Sequence, residues 1–399
     1  MADSLIDPQN LIQELGVAGL NHFSDETQKR LHDPGIQLGK PFSMISQTPQ
    51  LLVRLGLMLE SLRLTPGIKI LDFGSGPCWI SKALWQMGCS VIATDVSEEA
   101  LRLGESLFND YPIPNQPPCS WETRLFDGDS LPLKAEEVDR IICFDAFHHV
   151  PNQEEIVREF YRVLRNGGTV VFNEPLGLHS KTPASQMEMR EYKVLENDMD
   201  MSALKSLFCE AGFREPTFKV AANPEYMMSY EEWQTCRTGE IPNRMANALS
   251  QFQQNSSVFY FQKGKALNDS RQAEGLAHEL EISASKLTFK VGVPQKIQVS
   301  FRNVGESRWL DRNDGHIGTV NFASRILDYQ SKDILADNSR FRIPNEMEPG
   351  DHFSGEIPVP LSISKPGTYW LKFDLVSEEV CWFETLGSKA VLVEIKVEA

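Results

Sequence analysis

The chain has 399 residues, 41% of them hydrophobic, which suffices for two or three domains of roughly 100–200 residues with real cores. Its 39 lysines and arginines face 55 aspartates and glutamates, and the net charge of −16 opposes non-specific binding to nucleic acid or anionic membranes. No apolar run approaches the ~18 residues of a membrane span, and Met1-Ala2-Asp3-Ser4 lacks the basic start and apolar core of a signal peptide.

Residues 1–66 read as helical. Leu11, Ile12 and Leu15 recur at helical spacing, as do Leu51, Leu52, Leu55, Met58 and Leu59. Between them Leu38-Gly39-Lys40-Pro41-Phe42-Ser43 breaks the pattern. From 67 to 174, short apolar runs at 68–73, 90–94, 121–126, 138–144 and 169–174 alternate with helical stretches at 78–87, 97–109 and 152–165. Such alternation predicts a parallel sheet with right-handed crossovers. Ser97 is the expected N-cap of the second helix, with Glu98 and Glu99 in its first turn.

The most informative stretch is Ile70-Leu71-Asp72-Phe73-Gly74-Ser75-Gly76-Pro77-Cys78-Trp79. It reads as a strand, a tight turn and a helix N-terminus, where unpaired N–H groups carry partial positive charge. A dinucleotide fingerprint needs a small third residue where Trp79 stands, and no P-loop pattern is present. What fits is acid-x-Gly-x-Gly, as Asp72, Gly74 and Gly76. A carboxylate before the turn repels a pyrophosphate and favours a cation, such as an ammonium group beside a sulfonium.

At these residues the chain resembles the class I S-adenosylmethionine-dependent methyltransferases. The resemblance continues through Val91-Ile92-Ala93-Thr94-Asp95, Phe126-Asp127-Gly128-Asp129-Ser130-Leu131-Pro132, the run 138–144, and Arg162-Val163-Leu164-Arg165-Asn166-Gly167-Gly168, covering roughly residues 50–265. It implies a Rossmann-like α/β fold with a seven-stranded sheet, S-adenosylmethionine as cofactor, and a cofactor set of Asp72, Gly74, Gly76, Asp95, Asp127 and Gly128. Asp95 would bond the ribose hydroxyls, and Asp127 with Gly128 would flank the adenine. Cys78 stands where the family often has a third glycine, and it could crowd the methionine moiety. Trp79 would either wall the pocket or pack beneath the helix. The break at 38–43 becomes a candidate lid over the cofactor, with a plain connector as the alternative.

Met201 to Gly212 reads as a further amphipathic helix, and 214–220 with 257–262 as the last two strands, an edge pair by the same resemblance. The longer intervals 175–200 and 223–256 are expected acceptor-site elements. The stretch 266–279 is polar and reads as a linker. From 280 to 399, alternating runs such as Lys296-Ile297-Gln298-Val299-Ser300-Phe301 lie between turn signals such as Glu348-Pro349-Gly350-Asp351. That pattern predicts an all-β sandwich, and Asn303–Trp309 with Gly367-Thr368-Tyr369 resembles immunoglobulin-like modules. Trp370 is expected in its core, while Trp382 fits either the core or an exposed binding face for glycan or protein.

Four residues form the ranked pool for a general base: Glu174, His148, His149 and His179. Glu174 ends the fifth strand, where carboxyl ends face a ligand crevice, or it bonds a helix N-terminus. The His148-His149 pair follows the fourth strand and either lines the site or packs structurally. Asp145, just before the pair, could face the methyl group. Two adjacent histidines suggest a metal, but no third ligand is visible and none is expected. His179 shares the first insertion with Lys181, Glu188, Arg190 and Tyr192. The seven cysteines form no C-x-x-C; free thiols in a reducing, cytoplasmic setting are expected. The resulting expectation is methyl transfer to a small polar or saccharide-like acceptor, most simply a hydroxyl. The alternatives are a carboxyl or protein acceptor, or a non-catalytic S-adenosylmethionine-binding assembly protein.

Overall fold

The computed structural model describes residues 5–30, 34–110, 119–220, 226–265, 268–311 and 317–398. It divides into two units, Met1–Ala266 and Leu267–Ala399. No helix among the described residues is long and apolar enough to cross a membrane.

The first unit opens with helices α1 (Pro8–Arg30), α2 (Pro34–Leu38) and α3 (Thr48–Leu62). The alternating region follows as β1 (Lys69–Phe73), α4 (Trp79–Gln86), β2 (Ser90–Asp95), α5 (Glu98–Asp110), β3 (Trp121–Leu125), β4 (Val138–Phe144), α6 (Gln153–Val163) and β5 (Leu164–Pro175). After it come α7 (Pro183–Glu191), α8 (Met201–Glu210), β6 (Thr217–Phe218), α9 (Tyr230–Arg237), α10 (Asn243–Asn255) and β7 (Ser256–Gln262). The sheet order is β3-β2-β1-β4-β5-β7-β6. The first five strands are parallel, and β7 runs antiparallel to both β5 and β6. Chain order reverses between β1 and β4, which opens a crevice at their carboxyl ends.

Strand periodicity divides the buried residues between the two faces. Leu71, Ile141, Val170 and Phe172 join Phe147, Phe160 and Phe208 in one core. Ile70, Ile142 and Val171 join Trp79, Leu84 and Trp85 in the other. Each such side chain contributes about 1.5–3 kcal/mol on full burial, so the central strands read as continuous apolar runs. Ser97 caps α5 as expected, its Oγ accepting from the Ala100 amide at 3.1 Å. Asp25 of α1 accepts from the Ser97 hydroxyl (2.8 Å) and the Glu99 amide (3.1 Å), fastening the N-terminal helix across the end of the sheet.

Neither insertion is structureless. The segment after β5 contains a 3-10 turn at His179–Lys181 and α7, capped by Thr182. Its Met189 and Leu195 pack with Leu11 and Leu20 of α1. The second interval forms α9, which opens on a Ser229/Glu232 capping box, and α10; residues 223–225 lie outside the described residues.

The second unit contains β8 (His278–Ile282), β9 (Lys286–Lys290), β10 (Gln295–Asn303), β11 (Val320–Asp328), β12 (Ile334–Arg342), β13 (His352–Val359), β14 (Gly367–Ser377), β15 (Cys381–Trp382) and β16 (Val391–Glu398). They form two sheets, β13-β10-β8 and β12-β11-β14-β16-β9, with β15 paired to β14. Val299 and Phe301 of one sheet share a core with Phe322 and Phe373 of the other, which makes the unit a β-sandwich. Trp309 is the fully buried tryptophan. Trp370, expected in the core, instead stacks on Tyr329 at 5.6 Å near the surface. The Arg325 and Arg340 guanidiniums both lie over the Trp382 ring, at 3.6 and 4.8 Å from its centroid.

The expected linker needs correction. Residues 266–267 lie outside the described residues, but Asp269, Ser270, Arg271 and Leu276 are buried. Ser270 donates to the Gly318 carbonyl, Arg271 pairs with Asp269, and Leu276 joins the sandwich core. Polar composition suggested a solvated tether, whereas these short polar groups are satisfied inside the fold. A second unit begun at residue 280 rather than 268 is therefore expected to melt at a clearly lower temperature. Leu276 alone is worth about 1.5–3 kcal/mol. Equal melting curves for the two fragments would show that 268–279 adds nothing.

Candidate active site

The turn after β1 is built by contact. Gly74 has φ 65°, and a Cβ there would sit 2.5 Å from the Cβ of Ala146, in the turn after β4. Only glycine lets the ends of the two strands approach so closely. Gly76, also at positive φ, donates its amide to Asp95 Oδ2 at 2.8 Å. Asp95 Oδ1 accepts from the Ser97 amide at 2.8 Å. Burial raises the Asp95 pKa, and these amides offset it in part.

Around this turn lies a cavity of about 620 Å³, within the size range of small-molecule sites. Gly74, Gly76, Asp95, Gly128, Asp145 and His149 border it from the sheet end. Asn21, Gln37, Lys40, Gln47, Gln50 and Arg54 border it from the N-terminal segment. Arg54 grips Asp145 with two bonds of 2.6 and 3.3 Å and lies over the Phe144 ring. Sequence reasoning missed Arg54 and Asn21, because nothing local marks a helical arginine or asparagine that packs on a distant strand end. Lys40 belongs to the 38–43 break, and burial lowers its pKa.

The expected cofactor set separates into two groups. Gly74, Gly76, Asp95 and Gly128 border the cavity, whereas Asp72 does not. Asp72 shares the Ile70 face of β1, beneath α4, where it accepts the Ser81 hydroxyl at 2.6 Å. Burial pushes its carboxyl up to about 7. The idea that Asp72 meets a bound cation directly is therefore corrected: it anchors the helix that begins at the turn. Asp127 turns its carboxylate onto the Asp129 and Ser130 amides, which lower its pKa, while its carbonyl accepts from Asn21. Cys78 does not crowd the cavity. It adopts a left-handed conformation (φ 59°) and buries its thiol against α5, where a Cβ on Gly104 would lie 2.3 Å from the sulfur. Trp79 does wall the cavity, edge-on to Phe144 at 5.6 Å.

Of the base pool, only His149 borders the cavity. Glu174, ranked first, is fully buried on the Phe172 face of β5. One oxygen accepts from the Ala146 and Phe147 amides (3.1 and 2.8 Å), the other from His148 Nδ1 (2.6 Å) and the His148 amide (3.3 Å). Its carboxylate is committed to holding the turn after β4, so its place as leading base is corrected. Burial raises the Glu174 pKa, but the imidazolium of His148 and the amides overcome this and lower it. Burial likewise works against a charged His148, and Glu174 reverses the effect to raise its pKa. His179 donates through Nε2 to Glu196 at 2.6 Å, away from the cavity wall.

His149 donates its Nδ1 proton to the Leu195 carbonyl at 2.6 Å, which assigns the tautomer. Burial first, then the neighbouring His148 charge, lowers its pKa to about 4. Glu188 reaches the same end of the cavity from α7; burial and the adjacent Glu196 raise its pKa. Glu196 stays ionised against burial through His179, His149 and His148. No spacing or motif in Val194-Leu195-Glu196-Asn197-Asp198 announces that role.

The strand order, the glycine turn and Asp95 at the end of β2 have a counterpart among known families. Residues 71–172 match the family described as methyltransferase domain. The first unit has the Rossmann-like methyltransferase fold. This methyltransferase domain is 27% identical over 104 residues to an uncharacterized methyltransferase of Schizosaccharomyces pombe, covering 26% of this chain and 37% of that one. It is 28% identical over 108 residues to a ubiquinone biosynthesis O-methyltransferase of Pseudomonas fluorescens, covering 27% and 44%. It is also 23% identical over 224 residues to a sarcosine/dimethylglycine N-methyltransferase of Halorhodospira halochloris, covering 51% and 78%. The chain spans less than half the length of the first two relatives.

Proposed function

We propose that the chain is an S-adenosylmethionine-dependent methyltransferase acting on a small, hydroxyl-bearing polar acceptor. The reading rests on one observation: a single cavity at the β1/β4 switch point joins the glycine turn and Asp95 to a polar end with His149 and Glu188. The residues present suit the cofactor. The Gly74–Gly76 turn would take its methionine end, Asp95 its ribose, and the Asp127–Gly128 loop its adenine side. Asp95 accepts the Gly76 and Ser97 amides on its two oxygens, and a carboxylate's further lone-pair sites can take a hydroxyl. The bound cofactor supplies an activated methyl group. The chain's own task is alignment, which is worth about 7–11 kcal/mol in favourable cases.

The glutamine amides of Gln37, Gln47 and Gln50 and the Lys40 ammonium on the cavity wall favour an acceptor rich in hydroxyls, which supports a saccharide-like molecule. His149 is assigned to the acceptor's reacting group, and the 38–43 segment to the cover over the site. Turnover of labelled S-adenosylmethionine against sugars, nucleotide-sugars, small acids and amines tests the reading; labelled product is expected from a hydroxyl compound. Cofactor binding without product from any class would instead support a non-catalytic binding protein. His149→Ala is expected to lower kcat by about 10²–10⁴-fold, the usual weight of a group acting at the acceptor's proton, with cofactor affinity unchanged. A rise confined to KM would make His149 a positioning contact.

A further inference from the structure

Three side chains from two separate segments converge beside the cavity. His148 and His149 come from the turn after β4, and Glu196 from the segment after α7. One ligand atom from each lies within 4.8 Å of the others. His148 Nε2 is 3.8 Å from Glu196 Oε2, and His149 Nδ1 is 3.5 Å from Glu196 Oε1. The third ligand that the sequence did not reveal is thus supplied by the fold.

His148 and Glu196 are also held from behind. His148 Nδ1 donates to Glu174, which turns Nε2 toward Glu196. His149 Nδ1 is the ring atom near Glu196 and gives its proton to the Leu195 carbonyl in the metal-free protein, so coordination through it requires that proton to move to Nε2 and exchanges the Leu195 bond for the cation. Glu196 Oε2 accepts from His179 Nε2 at 2.6 Å. Metal-binding imidazoles and carboxylates characteristically carry such outer partners, which orient the ring and raise its basicity. His148 and Glu196 are almost wholly buried, while His149 borders the cavity and gives access to it. Two imidazoles and one carboxylate suit zinc or iron(II), whereas magnesium and calcium select oxygen donors.

We propose that His148, His149 and Glu196 bind a first-row divalent cation beside the cavity, with Glu174 and His179 orienting the ligands. The inference rests on the convergence of donors and not on the methyltransferase reading, so binding is measured directly. The full-length protein is stripped with a chelator and titrated with Zn²⁺ against a chromophoric competitor. Co²⁺ serves as the spectroscopic probe and Mg²⁺ as the control. One Zn²⁺ per chain, a visible Co²⁺ ligand-field band and no competition from Mg²⁺ are expected. His149→Ala and Glu196→Gln should each weaken Zn²⁺ binding at least about 10-fold, and His179→Gln by about 10–100-fold as an outer partner. His149 is only partly buried, so His149→Ala decides the matter if Glu196→Gln fails to fold. No stoichiometric Zn²⁺ uptake by the wild type, or uptake unchanged in folded His149→Ala, overturns the proposal and leaves a purely hydrogen-bonded cluster. Methyl transfer is not a readout here; a His149 that binds the cation has no lone pair left for the acceptor's proton, so stoichiometric Zn²⁺ uptake through His149 would replace its role at the acceptor without touching the cofactor reading.

Discussion

Glu174→Ala is expected to destabilise the first unit by about 3–5 kcal/mol, the cost of breaking a buried ion pair by removing one partner. The carboxylate is inaccessible to solvent and accepts from three backbone amides and one imidazole. Alanine would leave the Ala146, Phe147 and His148 amides and a buried His148 without that acceptor. Water cannot readily replace it among Phe147, Phe172 and Phe208, which pack edge-on or tilted around the site. At roughly 2–4 °C per kcal/mol for a domain of this size, the melting temperature should fall by about 6–20 °C. Glu174→Gln should lose less, because an amide oxygen still accepts from the backbone while the charge opposite His148 is gone. Denaturant and thermal melts distinguish this from a role in chemistry. Wild-type stability with abolished turnover would restore Glu174 as a base and refute the structural role.

Asp95→Ala is expected to weaken S-adenosylmethionine binding by about 10²–10⁴-fold. Two hydroxyl bonds to a charged acceptor are worth about 1.5–3 kcal/mol each, and every 1.4 kcal/mol is about tenfold in affinity. The structure adds a second cause. Asp95 also fastens the Gly76 amide and the Ser97 amide, so its removal loosens the glycine turn and the start of α5 together. Asp95→Asn separates the two effects, since it retains an acceptor for one amide but no charge. Calorimetry on wild type and both variants provides the measurement. Unaltered affinity in Asp95→Ala would mean that the cofactor does not contact this carboxylate.

Most of the fold was legible because its causes are local. Apolar runs of five to seven residues, glycine turns and capping residues recur within short windows, and their order alone implies a parallel sheet with right-handed crossovers. The site was legible only where backbone conformation makes it. Gly74 and Gly128 serve through positive φ and close approach, and Gly76 through positive φ; those requirements are written into residue type. Carboxylates were harder to read, since their residue type says nothing about the direction they face. On β1 the period of two places Asp72 with Ile70 beneath α4, and on β5 it places Glu174 with Phe172 beneath the turn after β4. Both acids stand at strand ends, yet both point into the layers that cover the sheet.

By itself the sequence determined the two-unit organisation, the alternation of five strands with helices, the glycine turn with Asp95 at the end of the next strand, and the all-β character of residues 280–399. These follow from periodicity and turn chemistry, which act over a few residues. Tertiary structure alone decided that Asp95 and not Asp72 borders the cavity, and that Cys78 fills the space against Gly104. It also decided that Arg54 reaches Asp145, that Asp269–Leu276 belong to the sandwich, and that Glu196 meets His148 and His149. Each of these depends on which surfaces meet after the chain has folded back on itself. Contacts between segments dozens of residues apart leave no period or spacing in the sequence from which they could be read.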